Sequence, residues 1–208
     1  MKNSRSQCGQ DVNVLNFYKQ KENGFFVEIG AMDGIRLSNT YLLEMDYNWK
    51  GICVEPVPFN YEKLIKNRLN SFCSNKAVYS VSREYIEFDI SNELDYHSGI
   101  SSHLGRHKQR VDKDKTTIKV ETITLNDLLK ESNAPSYIDY LSIDTEGSEY
   151  EILKVVDFNY FKFGIIDIEV NGEEPKRSLI RELLTSSGYE FHSSNVLDDT
   201  YILNRYKK

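Results

Sequence analysis

Residues 24–30 read GFFVEIG, and residues 137–147 read YIDYLSIDTEG. The first is a short apolar run ending in glycine, the form of a parallel strand buried on both faces that stops at a tight turn. The second is a strand whose end crowds Asp144 and Glu146 just ahead of a helix. The same signature recurs outward from these two. GICVEP at 51–56 is a buried strand stopped by Pro56, and FGIIDIEV at 163–170 is another. Helical spacing runs over 11–22, 38–48, 59–69, 124–132, 148–156 and 175–188. Ser38 or Asn39 suits an N-cap, Thr124 opens a T-x-x-D capping pattern, and the last helix has Pro in its first turn and Gly just past its end. Residues 72–80, 83–90 and 117–123 read as further strands, and 188–194 with 200–206 as a closing antiparallel pair. Residues 1–10 predict a loosely held start, and 91–116 a loop with little regular structure. Alternation of this kind implies a mostly parallel α/β sheet with helices on both faces.

The 208 residues suit one domain over 1–208. With 39% hydrophobic and 12% aromatic residues the chain can build a packed core, which excludes a disordered chain. A net charge of -6 disfavours a general polyanion binder, so nucleic acid is not an expected partner. The three cysteines, an odd number, lack metal-ligand spacing and point to a reducing compartment or to indifference to redox. The start MKNSRSQCGQ has no apolar stretch of a signal peptide, and no run approaches the roughly 20 residues of a membrane span. The expectation is a soluble, cytoplasmic protein with no membrane partner.

Ligands of open α/β sheets bind beyond the carboxyl ends of the strands, where the strand order switches. After the first strand stand Glu28, Gly30, Ala31, Asp33 and Gly34. The spacing is G-x-x-x-G, not G-x-G-x-x-G, so a dinucleotide is not indicated. Asp33 is placed to accept hydrogen bonds from an amino group. Glu55, ahead of Pro56, is placed to bind the two hydroxyls of a ribose. Asp144 and Glu146 are like charges close together, which raises at least one pKa and suits a general base or a cation site. Glu149 reads instead as a partner for the helix dipole, with Thr145 or Ser148 as the cap. Glu169 ends the next strand and points into the same cleft as Asp144. The long segment 91–116 reads as a lid over an acceptor. It offers His103 as a base, and Arg106, His107, Lys108 and Arg110 as contacts for an anionic acceptor.

FVEIGAMDGIRLSNT, WKGICVEPVPFNYEKL, NKAV, ETITLNDLL, DYLSIDTEGSEYEILK, IIDIEVN and RELLTSSGYEF, in this order and spacing, resemble the FkbM-type family of methyltransferases. The resemblance implies a Rossmann-like class I fold, a seven-stranded sheet whose last strand is antiparallel. It implies methyl transfer from S-adenosylmethionine, usually to oxygen, on a sugar, a glycan or a small molecule. Carried onto this chain, Glu28, Gly30, Ala31, Asp33 and Gly34 cradle the methionine part of the cofactor, with Ser38, Asn39 and Thr40 beside it. Glu55 holds the ribose and Pro56 shapes the turn. Asn75 and Ala77 lie near the adenine. Asp144 stands beside the transferred methyl, and Glu146 and Glu169 line the acceptor side. One departure matters: members often carry a histidine where this chain has Val170 and Asn171. The base is therefore open between Asp144 and Glu169, with His103 as a substitute. Mg²⁺ held by Asp144 and Glu169 is the competing arrangement. Two other classes stay open: a nucleotide-dependent oxidoreductase, and a non-catalytic cofactor-binding module that has lost its base.

Overall fold

The computed structural model describes residues 4–93, 97–105, 108–195 and 197–204. The first part alternates as expected: α1 (Gln10–Phe17), β1 (Phe25–Ile29), α2 (Tyr41–Tyr47), β2 (Lys50–Val54), α3 (Pro58–Asn67) and β3 (Phe72–Ser74). Then come β4 (Ala77–Val78), β5 (Tyr85–Ser91), β6 (Gly99–Ile100), α4 (Lys108–Val111) and β7 (Lys115–Ile123). Alternation resumes with α5 (Leu125–Glu131), β8 (Tyr137–Ile143), α6 (Glu149–Leu153), β9 (Lys162–Glu169) and α7 (Lys176–Ser186), and closes on β10 (Tyr189–Ser194) and β11 (Asp198–Leu203).

Seven strands form the main sheet in the order β10-β11-β9-β8-β1-β2-β3. Only β11 runs antiparallel to its neighbours. This is the expected Rossmann-like sheet with its last strand reversed. The chain runs outward from β1 to β3, then crosses back to β8 on the other side, so the switch lies between β1 and β8. Side chains alternate across each strand. Val27, Ile29, Ile52 and Val54 meet Leu125 and Leu128 of α5, Ile152 of α6 and Ile180 of α7. On the other face Phe26 and Cys53 meet Leu15 of α1, Leu43 of α2, Leu64 of α3 and the buried Trp49.

Three expectations need correction. Residues 72–80 are not one strand: the chain leaves the main sheet after Ser74, and Ala77–Val78 pairs with β7. It belongs to a second, four-stranded sheet in the order β4-β7-β5-β6, built on Val57, Ala77, Phe88, Ile90, Ile100 and Val120. Local periodicity carries no information about which strand a segment will pair with. Residues 91–116 are not an irregular loop. Gly99 and Ile100 pair antiparallel with Asp89 and Phe88, and a short helix follows. A two-residue strand and a four-residue helix are too short to leave a period in the sequence. Residues 4–10 are not loose either, and residues 1–3 lie outside the described residues. The buried Asp11 carboxylate accepts from Ser4 Oγ (2.9 Å), Ser6 Oγ (2.6 Å) and the Val12 N–H (2.7 Å), and Ser6 bridges to Leu37. No described helix is long and apolar enough to cross a membrane.

Candidate active site

The crevice is assembled where β1, β2 and β8 end. The N–H groups of Gly30 and Ala31 donate to the Val54 carbonyl (3.0 and 2.9 Å), and Asp144 N–H donates to the Ile29 carbonyl (3.0 Å). Gly30 has φ +90°, and a Cβ there would collide with the Asp144 carbonyl oxygen. Only glycine lets the two strand ends come this close. Beyond them opens a cleft of about 1110 Å³, counting its mouth.

Glu55 stands on one side of this cleft. Its Oε2 accepts the Met32 N–H and its Oε1 the Val57 N–H, both at 2.8 Å. Glu169 stands on the other side, three strands away from β2 in the sheet order, a separation of about 14 Å at ordinary strand spacing. Asp144 and Glu146 lie with it, and one carboxylate oxygen from each of the three falls within 4.8 Å of the others.

The turn that carries these acids is built by Glu149, which is fully buried. Its Oε1 accepts from the Thr145 N–H (3.2 Å), Thr145 Oγ1 (2.9 Å) and the Gly147 N–H (2.9 Å), while Lys176 Nζ donates to Oε2 (2.8 Å). Glu149 is therefore a scaffold residue that fixes the turn around Glu146. Burial, then the charges of Glu169 and Glu146, push the Asp144 carboxyl well above the usual carboxylate range. Burial also pushes Glu169 up, opposed by the hydrogen bond from Asp144 and one from Asn171 Nδ2 at 2.7 Å. With one carboxylate oxygen from each of Asp144, Glu146 and Glu169 this close, like-charge crowding and burial raise Asp144 and Glu169 together.

The cleft suits a cationic nucleoside. Its ionic lining is Glu28, Glu55, Asp144, Glu146 and Glu169 against Arg36. Asn39 Nδ2 donates to Ser142 Oγ (3.0 Å), and its buried Oδ1 has no hydrogen-bond partner among the described residues. That acceptor matches the ammonium of a bound amino acid.

A family model described as the methyltransferase FkbM domain matches residues 28–191. The chain belongs to the FkbM methyltransferase family. It is a methyltransferase dependent on S-adenosylmethionine. No curated protein matches it in sequence. Among solved structures it is similar to a precorrin-6y C5,15-methyltransferase from Geobacter metallireducens (11% identity, 92% of this chain and 86% of that one, TM-score 0.49). It is also similar to an FkbM methyltransferase from Methylobacillus flagellatus (12% identity, 95% of this chain, TM-score 0.49), of whose chain it spans 56%. A third is fibrillarin from Aeropyrum pernix in complex with natively bound S-adenosyl-L-methionine (12% identity, 88% of this chain and 67% of that one, TM-score 0.45).

Of the residues expected at the methyltransferase site, Glu28, Gly30, Asn39, Glu55, Pro56, Ala77, Asp144, Glu146 and Glu169 do line the cleft. The others do not. Ala31 is buried in the core against α1 and α2. Asp33 turns its Oδ1 to the N–H groups of Ile35 (2.9 Å) and Arg36 (2.8 Å), because a short carboxylate in a turn reaches its own backbone first. Gly34 lies against the Arg68 and Leu64 side chains. Ser38 and Thr40 are buried and donate to Glu28 (2.9 and 2.6 Å). Asn75 is exposed beyond the end of β3. His103 is held outside the cleft by Ser102 Oγ (2.8 Å) and Tyr79 OH (3.4 Å). Lys108 meets Ser101 O (3.3 Å) and Asp112 (3.8 Å), and Arg110 meets Glu93 (3.8 Å); neither lines the cleft. Arg106 and His107 lie outside the described residues.

Three residues that sequence reading passed over belong to the site. His97 and Gln7 line the cleft, and Arg68 lies beneath it. A histidine in a polar stretch was a weak signal for the first. An arginine ending a helix reads as a solvated partner of the dipole, so Arg68 had no signal at all.

Proposed function

We propose that this methyltransferase transfers the methyl group to a hydroxyl oxygen of an uncharged sugar, glycan or small molecule, and that the Asp144–Glu169 pair accepts the hydroxyl proton. The observation that carries this is the cluster of Asp144, Glu146 and Glu169 carboxyl groups, within 4.8 Å of one another, at the end of the cleft opposite Glu55. S-adenosylmethionine bound in the cleft supplies an electrophilic methyl on its sulfonium. Glu55 holds the ribose hydroxyls, and Asn39 Oδ1 accepts from the ammonium. An alcohol needs a base to attack at neutral pH, and a carboxyl pair whose pKa values are raised is a stronger base than an ordinary carboxylate. Glu146 and Glu169, which line that end of the cleft, would bind and orient the acceptor hydroxyl, and positioning of this kind contributes several kcal/mol. Among the described residues, five acidic side chains line the cleft with Arg36, which supports an uncharged acceptor over an anionic one, and Lys108 and Arg110 lie elsewhere.

A second arrangement uses the same atoms. Asp144, Glu146 and Glu169 offer three hard oxygen ligands, the set that suits Mg²⁺, which would ionise the pair and polarise the hydroxyl. Chelator distinguishes the two: transfer that survives it belongs to the carboxyl base, and transfer restored only by Mg²⁺ belongs to the metal. Free thiols at Cys8, Cys53 and Cys73 support work in a reducing compartment such as the cytoplasm.

Calorimetric titration with S-adenosylmethionine and S-adenosylhomocysteine tests the cofactor half. Saturable binding is expected, with at least about a tenfold loss in Glu55→Ala, because one charged hydrogen-bonding group is worth 1.5–3 kcal/mol or so. Radiolabelled methyl transfer to methyl glycosides, compared with sugar phosphates, tests the acceptor. Preference for the phosphates would sink the uncharged assignment.

A further inference from the structure

We propose that Arg68 is a positioning residue for cofactor binding: from beneath, it sets the shape of the loop that presents Asn39 to the cleft. The proposal rests on the cofactor reading above.

Gly30, Met32, Arg36, Leu37 and Asn39 all line the cleft, and all lie on the loop between β1 and α2. The loop contains no helix or strand. Met32 (φ 50°) and Leu37 (φ 58°) sit in the left-handed region, which their side chains disfavour. Local preference therefore does not determine this shape, and tertiary contacts must hold it.

Glu55 holds the Met32 N–H and Ser6 bridges to Leu37, while the contacts to Gly34, Ser38 and Thr40 converge on Arg68, fully buried at the end of α3. Its Nη1 donates to the Gly34 carbonyl (3.1 Å) and to Ser38 Oγ (3.1 Å), and its Nη2 to Thr40 Oγ1 (2.7 Å). Nε is bonded to Glu44 Oε2 (2.6 Å), Nη1 reaches Glu28 Oε2 (3.4 Å), and the guanidinium lies 5.2 Å from the centre of the Phe26 ring. Glu28 carries the grip upward. Its Oε2 accepts from Ser38 and Thr40, and its Oε1 accepts the Asn39 N–H at 2.6 Å. So Arg68 orients Glu28, Glu28 holds the Asn39 backbone, and Asn39 faces the ligand. Arg68 itself is absent from the cleft lining, so it acts through these two. A lysine cannot replace it, because only the planar fork reaches the Gly34, Ser38, Thr40 and Glu44 acceptors together.

The test is calorimetric titration of S-adenosylhomocysteine into wild type, Arg68→Lys, Asn39→Ala and the double variant, with circular dichroism and thermal unfolding of each. Arg68→Lys is expected to stay folded and bind at least about tenfold more weakly. Asn39→Ala should also weaken binding, and the double variant should be no weaker than the worse single one, since both act through one contact. A merely structural arginine would lower the unfolding temperature, leave the affinity of the folded protein intact and combine additively with Asn39→Ala; that result overturns the proposal. Should Arg68→Lys fail to fold, Thr40→Val removes the hydroxyl that joins Arg68 Nη2 to Glu28. Wild-type affinity in that variant overturns the proposal equally. Failure of the cofactor reading looks different: the wild type itself would not bind S-adenosylhomocysteine.

Discussion

Asp144 faces the cleft beside two other acids, which raise its pKa, and its chemistry follows from that crowding. The Asp144–Glu169 pair works as a base only when it carries its single charge. Because burial and neighbouring charge raise both groups, that form is lost on acidification at a higher pH than for an ordinary carboxylate near 4 or so. The pH profile of kcat is expected to rise along an acidic limb displaced upward from that value. Asp144→Asn keeps the shape and removes one carboxyl of the pair, so turnover should fall about a hundredfold or more with S-adenosylhomocysteine affinity little changed. Single-turnover rates across pH check both points, and wild-type turnover in Asp144→Asn would overturn the base assignment. Asp144, Glu55 and Glu169 were legible beforehand because each follows directly on an apolar strand. Asp33 and Thr40 do not line the cleft, because a side chain in a turn is aimed by backbone dihedrals that residue type does not reveal.

Among elements, the turn between β8 and α6 is where the two sheets meet. Gly105 N–H donates to the Glu146 carbonyl (3.2 Å), and a Cβ on Gly147 would collide with the His103 carbonyl oxygen. Gly147 has φ +140°, outside the range L side chains adopt readily. Gly147→Ala must distort the turn that carries Glu146 or push residues 99–105 off it. It should lower stability by more than about 1 kcal/mol and reduce turnover more than cofactor affinity, since Glu55 and Asn39 are on other elements. Urea unfolding and titration with S-adenosylhomocysteine measure the two effects. A variant as stable and active as wild type would show that the second sheet is not locked to this turn. The helices and main strands could be read from hydrophobic period. The β4–β7 pair and the β6 hairpin could not, because two-residue strands have none.

Across the whole molecule, stability and pH are linked through buried acids remote from the cleft. Asp167 accepts from Tyr140 OH (2.9 Å) and Thr200 Oγ1 (2.5 Å), and burial, with a further push from Asp198, moves its carboxyl up to about 6. A carboxyl raised on folding contributes stability that is present below its ordinary pKa and lost as pH rises through about 6. Asp167→Asn removes that loss. It should be more stable than wild type at pH 8, by up to about 3 kcal/mol, with the gain shrinking toward pH 4 or so. Urea unfolding at the two pH values checks the sign, and a gain larger at low pH would contradict it. The sequence by itself determined the alternation of strands and helices, the crevice at the strand ends, and the carboxylates placed there. Period and position along a strand are local properties, and a chain of this length carries enough of both. Only the tertiary structure decided that Ala77–Val78 leaves the main sheet, that residues 4–9 are pinned by Asp11, that His97 rather than His103 reaches the cleft, and that Arg68 is buried under the cofactor loop. Each depends on which distant segments meet, and burial of a charge is settled by the partners that surround it.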